Sequence, residues 1–181
     1  YRGVPLGYSP PLTGETLGIV ALGNIGRQMA ARAKGIGMNV MAFDPYLPDS
    51  VFGEIEATRA QSMEELLELS DHVTIHTPLN DETRGLMNEA AFRRMKPTAI
   101  YVHTARGPVH HQSDFVSALE SGEIFDAGLD VFDPEPLRID STLGAIDNVV
   151  LTPRSALSSE VSNTNNKKPL GETGAHILSG T

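Results

Sequence analysis

The stretch Thr16-Leu17-Gly18-Ile19-Val20-Ala21-Leu22-Gly23-Asn24-Ile25-Gly26-Arg27 decides the fold of this 181-residue chain. An apolar run from Leu17 to Leu22 is broken by closely spaced glycines. A helix-prone segment follows, Gln28-Met29-Ala30-Ala31-Arg32-Ala33-Lys34. Buried strand, tight turn and helix N-terminus thus come in that order. Such a turn suits a pyrophosphate, because free backbone N–H groups and the positive end of the helix dipole converge on it. Gly23 lets the backbone approach phosphate, and Gly26 lets the helix pack close to the strand. The pattern is A-x-G-x-x-G, with Ala21 where the first glycine of G-x-G-x-x-G would stand.

Outward from this turn, the helix is expected to run to Lys34 and to stop at Gly35-Ile36-Gly37. Met38 to Phe43 reads as a second strand, closed by Asp44-Pro45 because proline ends ladder bonding. Asp44 lies 18 residues after Gly26. That is where a dinucleotide fold places the carboxylate that grips the adenosine ribose hydroxyls. An acid there repels a 2′-phosphate, which favours NAD over NADP; the plainer reading of Asp-Pro is a turn former.

Strand and helix patterns keep alternating downstream. Ser62-Met63-Glu64-Glu65 fits a capping box for a helix to Ser70, with Leu66, Leu67 and Leu69 as its apolar face. Strands are expected at 71–76, 99–103, 127–131 and 148–151. Helices are expected at 89–95, capped by Asn88, and from Ser113 or Asp114 to Glu120, with Gly122 after it. This alternation implies a doubly wound, Rossmann-like, mostly parallel α/β sheet. Ligands of such sheets sit beyond the carboxyl ends of the strands, so the residues just after each strand should share one rim. Residues 1–15, rich in Pro and Gly, read as an irregular lead-in; 16–154 as the dinucleotide-binding domain; and 155–181 as a polar tail.

Composition narrows the function classes. Lys plus Arg is 14 against 23 Asp plus Glu, a net charge of −9, which argues against nucleic acid as a partner. No apolar run approaches a membrane span, and no signal peptide is visible, so a cytoplasmic home is the default expectation. The absence of cysteine rules out disulfides, thiolate metal sites and a cysteine nucleophile. His103, His110 and His111, with Asp114 nearby, raise the question of a metal site that activates water. Without a spacing that aims them at one point, the preferred reading is exposed loop residues at 110 and 111 and a strand end at 103, with no metal. His76 is expected as a buried strand-end side chain bonded to backbone, and His72 as a surface residue. Met29, Met38, Met41 and Met63 are expected as core filling, and Glu64, Glu65 and Glu68 as a solvated helix face.

Several segments stand in order at a recognisable spacing. They are Leu17 to Gly26, His76-Thr77-Pro78-Leu79, Met95-Lys96-Pro97, Thr104-Ala105-Arg106-Gly107, Gly128 to Pro136, and Asn148 to Pro153. Together they resemble the nucleotide-binding domain of the D-isomer-specific 2-hydroxyacid dehydrogenases over about residues 11–160. The resemblance implies hydride transfer between NAD and a 2-hydroxy or 2-keto acid. It implies that Ala21, Gly23, Asn24, Ile25 and Gly26 form the pyrophosphate turn and that Asp44 holds the ribose. It places Thr77, Pro78 and Thr83 along the dinucleotide, and Thr104, Ala105 and Asp130 at the nicotinamide. Arg106 would clamp the substrate carboxylate, a task suited to a planar bidentate donor. Glu135 would orient a catalytic imidazole.

The chain departs from that pattern in ways that bear on activity. Arg154 stands where the family has the catalytic histidine after Thr-Pro. Arginine stays protonated and cannot shuttle a proton at neutral pH, so Arg154 and Glu135 are expected to pair instead. Only fifteen residues precede the first strand, where the family carries much of its substrate domain, and Ser162 to Gly174 is too polar and broken for the family's long closing helix. An impaired or truncated oxidoreductase is therefore the leading expectation. Two alternatives stand beside it: a non-catalytic NAD-responsive binding protein, and a hydrolase of esterase or lactonase type using the histidine cluster. Loss of a substrate domain would leave apolar surface to be covered, most simply by a homodimer.

Overall fold

The structure, a computed structural model, describes residues 11–138 and 141–155. Most of the lead-in and the tail from 156 onward, including the segment expected to lack a long helix, lie outside the described residues. The elements are β1 (Thr16–Val20), α1 (Asn24–Gly35), β2 (Asn39–Phe43), α2 (Asp49–Glu54), β3 (Thr58–Arg59), α3 (Met63–Leu69) and β4 (His72–Ile75). They continue with α4 (Glu89–Arg94), β5 (Ile100–His103), α5 (Gln112–Glu120), β6 (Asp126–Leu129) and β7 (Val149–Leu151). Short 3-10 turns occupy Gly107–Val109 and Thr142–Ala145. The seven described strands form one sheet in the order β3-β2-β1-β4-β5-β6-β7, with every pairing parallel. This is the doubly wound α/β architecture expected from the alternation, and its chain order reverses between β1 and β4.

Period-two alternation along the strands sorts the core into two clusters. Leu17 and Ile19 of β1, with Val40 and Ala42 of β2, pack against Ala30 and Ala33 of α1 and Phe52 of α2. Val20, Val73, Ile75, Tyr101 and Leu129 belong to the other cluster, with Leu66 and Leu67 of α3, Phe92 of α4 and Phe115 of α5. Phe92 meets Tyr101 edge-on at 5.4 Å between ring centroids. Truncating so buried a ring costs about 3–5 kcal/mol. The four methionines expected as filling lie in or against these clusters.

The caps follow their sequence signals. Ser62 Oγ accepts the backbone N–H of Glu65 at 3.1 Å, and Asn88 Oδ1 accepts that of Ala91 at 3.1 Å. The reciprocal arm of the Ser62 box lands one residue early, with Glu65 Oε2 accepting the N–H of Gln61 at 2.6 Å. Two elements, α2 and β3, carry too short a pattern to be anticipated from the sequence. One helix start differs from expectation: α5 begins at Gln112, with His111 as its N-cap. The Asp114 carboxylate is drawn across to the first turn of α4, where it accepts the Glu89 N–H at 3.0 Å. An anion beside those unpaired donors is favourable. His72 is also not the surface residue expected, because its ring lies largely buried against Glu15, Nε2 to Oε2 2.5 Å.

Candidate functional site

Strand register assembles the site. The last residues of six strands are paired level with one another: Val20 with Phe43 and Ile75, Ile75 with His103, His103 with Leu129, and Leu129 with Leu151. The next residue in each case is Ala21, Asp44, His76, Thr104, Asp130 or Thr152. Six positions scattered over 132 residues of sequence therefore stand along one rim at the carboxyl edge of the sheet.

At the centre of this rim lies the glycine turn. Ala21 gives its N–H to the Phe43 carbonyl at 2.9 Å and adopts φ +75°. That left-handed backbone is what the first glycine of the pattern would normally supply, and a side chain there is strained by about 1–2 kcal/mol. The Ala21 carbonyl is directed at Gly26, where any Cβ would overlap it. Glycine at 26 is thus a packing requirement. Arg27, which the sequence did not single out, ties the turn from the helix side by donating Nε–H to the Leu22 carbonyl at 2.9 Å. Gly23 caps α1 without a side-chain bond, no acidic residue occupies the first helical turn, and Asn24 and Ile25 are exposed. The first N–H groups of a twelve-residue helix therefore face open space.

Beside the turn, Asp44 is held from both oxygens. Oδ2 accepts the Leu22 N–H at 3.0 Å and Oδ1 the Tyr46 N–H at 3.0 Å. These bonds orient the carboxylate and leave a second lone pair on each oxygen. Across the switch point, Thr77 Oγ1 is buried without a hydrogen-bond partner. The loop beyond it is built by Thr83, whose hydroxyl donates to the Pro78 carbonyl at 2.6 Å, and by Asn80, whose Oδ1 accepts the N–H groups of Glu82 and Thr83. An open helix N-terminus, a fixed carboxylate at the end of the adjacent strand and an orphan hydroxyl suit a dinucleotide: diphosphate, ribose diol and polar base edge each meet a complementary group.

Farther along the rim stand the groups expected to handle substrate. Arg106 is exposed and turns Nη1 back to the Ala105 carbonyl at 2.7 Å. Its neighbour Gly107 lies so close to the Phe132 carbonyl that no Cβ fits. This contact locks the Arg106 loop to the segment carrying Glu135. Asp130, 5% exposed, accepts with Oδ1 from Thr152 Oγ1 (2.5 Å), Ser155 N–H (2.7 Å) and Ser155 Oγ (3.3 Å). It thereby fastens the turn that presents Arg154 at φ +54°. The Arg154 guanidinium and the Glu135 carboxylate form the ion pair expected from the sequence. Glu135 also takes the Phe132 N–H on Oε1 at 3.2 Å. A cavity of about 580 Å³ opens between Phe132, Glu135, Leu137, Leu151, Pro153 and Arg154.

His103 ends β5 and His111 is exposed, as expected, but His110 is not. His110 is 2% exposed and His103 0%. Their rings lie 5.0 Å apart, packed with Tyr101 and Phe115. His111 is 65% exposed, beside Asp114. The reading of His110 as an exposed loop residue is therefore corrected: the 3-10 turn at Gly107–Val109 folds the chain back so that residue 110 enters the core. Among the described residues no group of three or more His, Asp or Glu side chains is placed to hold a metal ion. The two buried rings cannot reach a substrate, which removes the basis of the hydrolase alternative. Burial pushes the His103 imidazole down to about 4 and, with like charges at His103 and His111, His110 to about 3. His76 is also lowered by burial. Its ring meets Thr74 Oγ1 at 3.2 Å, not the backbone.

A parallel sheet with a bare helix N-terminus at its switch point and an acid closing the adjacent strand defines a dinucleotide-binding α/β domain. The chain belongs to the family described as D-isomer specific 2-hydroxyacid dehydrogenase, NAD binding domain, whose profile matches residues 6–156. It is 44% identical over 154 residues to a glyoxylate reductase of Korarchaeum cryptofilum, covering 85% of this chain and 46% of that protein. It superposes on a putative D-3-phosphoglycerate dehydrogenase from Ralstonia solanacearum with a TM-score of 0.89 at 33% identity, covering 94% of this chain and 50% of the other. D-lactate dehydrogenase with NAD+ from Lactobacillus jensenii matches with a TM-score of 0.79 at 30% identity, covering 87% and 51%. The chain thus spans about half the length of these proteins. No helix among the described residues is long and apolar enough to cross a membrane.

Proposed function

We propose that this chain is the cofactor-holding part of an NAD-dependent 2-hydroxyacid oxidoreductase in which the proton-shuttling position has been closed. The observation that carries the reading is the pairing of Arg154 with Glu135 on a rim whose dinucleotide features are otherwise intact. Gly23, Asn24 and Ile25 would receive the diphosphate on backbone N–H groups, with Ala21 and Gly26 shaping the turn. Asp44 would bind the ribose diol and disfavour a 2′-phosphate. Thr77, Pro78 and Thr83 would line the dinucleotide, and Thr104, Ala105 and Asp130 its nicotinamide end. Bound NAD supplies hydride acceptance and its reduced form hydride donation. Arg106 would hold the carboxylate of a 2-keto or 2-hydroxy acid through charge-assisted bonds. Reduction of the keto group also requires a proton, and Arg154 cannot release one at neutral pH. Glu135 is neutralised by the same residue. The chain should therefore bind NAD and turn over slowly or not at all.

The ion pair favours a second reading as well, a non-catalytic NAD-responsive protein that uses the same cleft. A homodimer and a cytoplasmic home are part of the proposal. The exposed apolar side chains Ile36, Phe125 and Val150 support the first of these. Titration of NADH fluorescence tests cofactor binding, and no binding at millimolar NADH refutes both readings. A panel of 2-keto acids followed by NADH absorbance then separates them. Turnover gained in Arg154→His supports the dehydrogenase reading, and efficient turnover by the unaltered chain overturns the closed-position argument. Sedimentation at micromolar concentration tests the dimer, which a monomer would contradict.

A further inference from the structure

The Arg106 loop rests on a buried histidine that no part of the proposed reaction uses. His103 ends β5, and its Nε2 lies 2.9 Å from the Arg106 carbonyl. A carbonyl only accepts, so Nε2 carries the hydrogen and Nδ1 is left as a bare lone pair. That Nδ1 is buried without a partner, as are both ring nitrogens of His110 and the hydroxyl of Tyr101. Tyr101 stacks on His103 at 5.9 Å and on His110 at 6.1 Å between ring centroids. His103 and His110 lie on either side of Arg106 in the chain, joined through the 3-10 turn at Gly107–Val109.

We propose that His103, as a neutral ring sealed in by His110, is the positioning residue for Arg106, and that acid releases the Arg106 loop by protonating this pair. The proposal rests on the reading of Arg106 as the carboxylate clamp.

Among the described residues, no carboxylate acts on the charge of His103 or His110. The titratable and charged groups around the pair are His76 after β4, Tyr101 and Arg106 on the same strand and loop, His111 on the far side of His110, Asp114 on α5 and Asp130 after β6. His76 and His111 add positive charge when they protonate, and both act against charging the pair. The Asp114 carboxylate faces His111 and the Glu89 N–H. Asp130 gives its own N–H to the His103 carbonyl at 3.0 Å, while its Oδ1 serves Thr152 and Ser155. The bond to the Arg106 carbonyl does favour a charged His103, but loss of water outweighs it, leaving the ring at about 4. A proton added to either ring is best accommodated where water can reach it. That requires the 104–110 segment to move away from Tyr101 and Phe115, which breaks the bond to Arg106.

The test is nuclear magnetic resonance of the full chain, following the His103 Cε1–H and the Arg106 and Gly107 backbone amides from pH 7.5 to about 3, with three variants. The expected result is that both amides shift with the same midpoint as His103. In His103→Gln the carboxamide nitrogen reaches as far as the ring Nε2, still donates to the Arg106 carbonyl and does not titrate, so the amides should match wild type at pH 7 and stay flat on acidification. In His103→Leu, which lacks the donor, they should already be displaced at pH 7. With NADH present, oxamate serves as a carboxylate probe; about tenfold weaker binding is expected for His103→Leu and restoration to within about twofold for His103→Gln. Amides that stay still while His103 titrates, or a His103→Leu variant whose amides keep the wild-type shifts, overturn the proposal. If Arg106→Ala leaves oxamate binding unchanged while the amides still follow His103, the clamp reading fails and the positioning role stands.

Discussion

Replacing Ala21 by glycine should stabilise this protein, although it removes a side chain from the most important turn in the fold. Ala21 sits at φ +75°, a left-handed backbone that costs a residue with a Cβ about 1–2 kcal/mol. Glycine removes that strain. Against it stand about 0.4–1 kcal/mol from the greater freedom of glycine in the unfolded chain, and a few tenths of a kcal/mol for a half-exposed methyl. The net expectation is a gain of about 0.5 kcal/mol, or a rise in Tm of about 1–2 °C for a chain of this size. The backbone bond from Ala21 to Phe43 is untouched, and the carbonyl over Gly26 keeps its place. Urea denaturation followed by far-UV circular dichroism is the appropriate assay, since the chain has no tryptophan. Ala21→Val provides the contrast, because a β-branched residue tolerates this backbone less well and should lose more than about 1 kcal/mol. A glycine variant with a lower midpoint than wild type would show that the left-handed backbone is not the dominant cost at this position.

Three further outcomes follow from named contacts. Gly26→Ala and Gly107→Ala each place a Cβ on a backbone carbonyl, of Ala21 and Phe132 respectively; each should lose about 3 kcal/mol or more in the same urea assay. Asp44→Ala should weaken NADH binding by about ten- to a hundredfold, the value of charge-assisted bonds to a diol, and should narrow the preference for NADH over NADPH in fluorescence titration. Stability should fall with acid in a defined window. His103 and His110 are held at about 4 and about 3, below their ordinary value, so below pH 6.5 the unfolded chain binds more protons. Their contribution is complete above pH 6.5 and lost as the pH falls toward those values, with a slope of up to about 1.4 kcal/mol per pH unit for each ring. Denaturation midpoints measured from pH 7 to 5 should show this, and His110→Leu should reduce the slope by about half.

The sequence by itself determined the class of fold. The glycine turn, the acid closing the second strand and the repeated alternation of strand and helix patterns are short-range signals. Each is set by backbone conformation or by the periodicity of a single element. The rim was legible for the same reason: in a parallel sheet the ends of strands converge, so any residue following a strand is placed by topology alone. Even the Arg154–Glu135 pair was readable, because opposite charges at two rim positions have an obvious partner.

Only the tertiary structure decided the rest. The elements α2 and β3 are too short to impose a period. The draw of Asp114 toward α4, 25 residues away, depends on how two helices pack. The left-handed backbone of Ala21 is imposed from outside the residue, by a bond to β2 and a carbonyl pressed against Gly26; local preference alone would have avoided it. The burial of His110 depends on a three-residue turn that reverses the chain, and polar composition argued for the opposite. The glycine turn at Ala21–Gly26 was visible because a few adjacent residues suffice to make it. The buried imidazoles under Arg106 were not, because they exist only where strand, turn and two helices close around them.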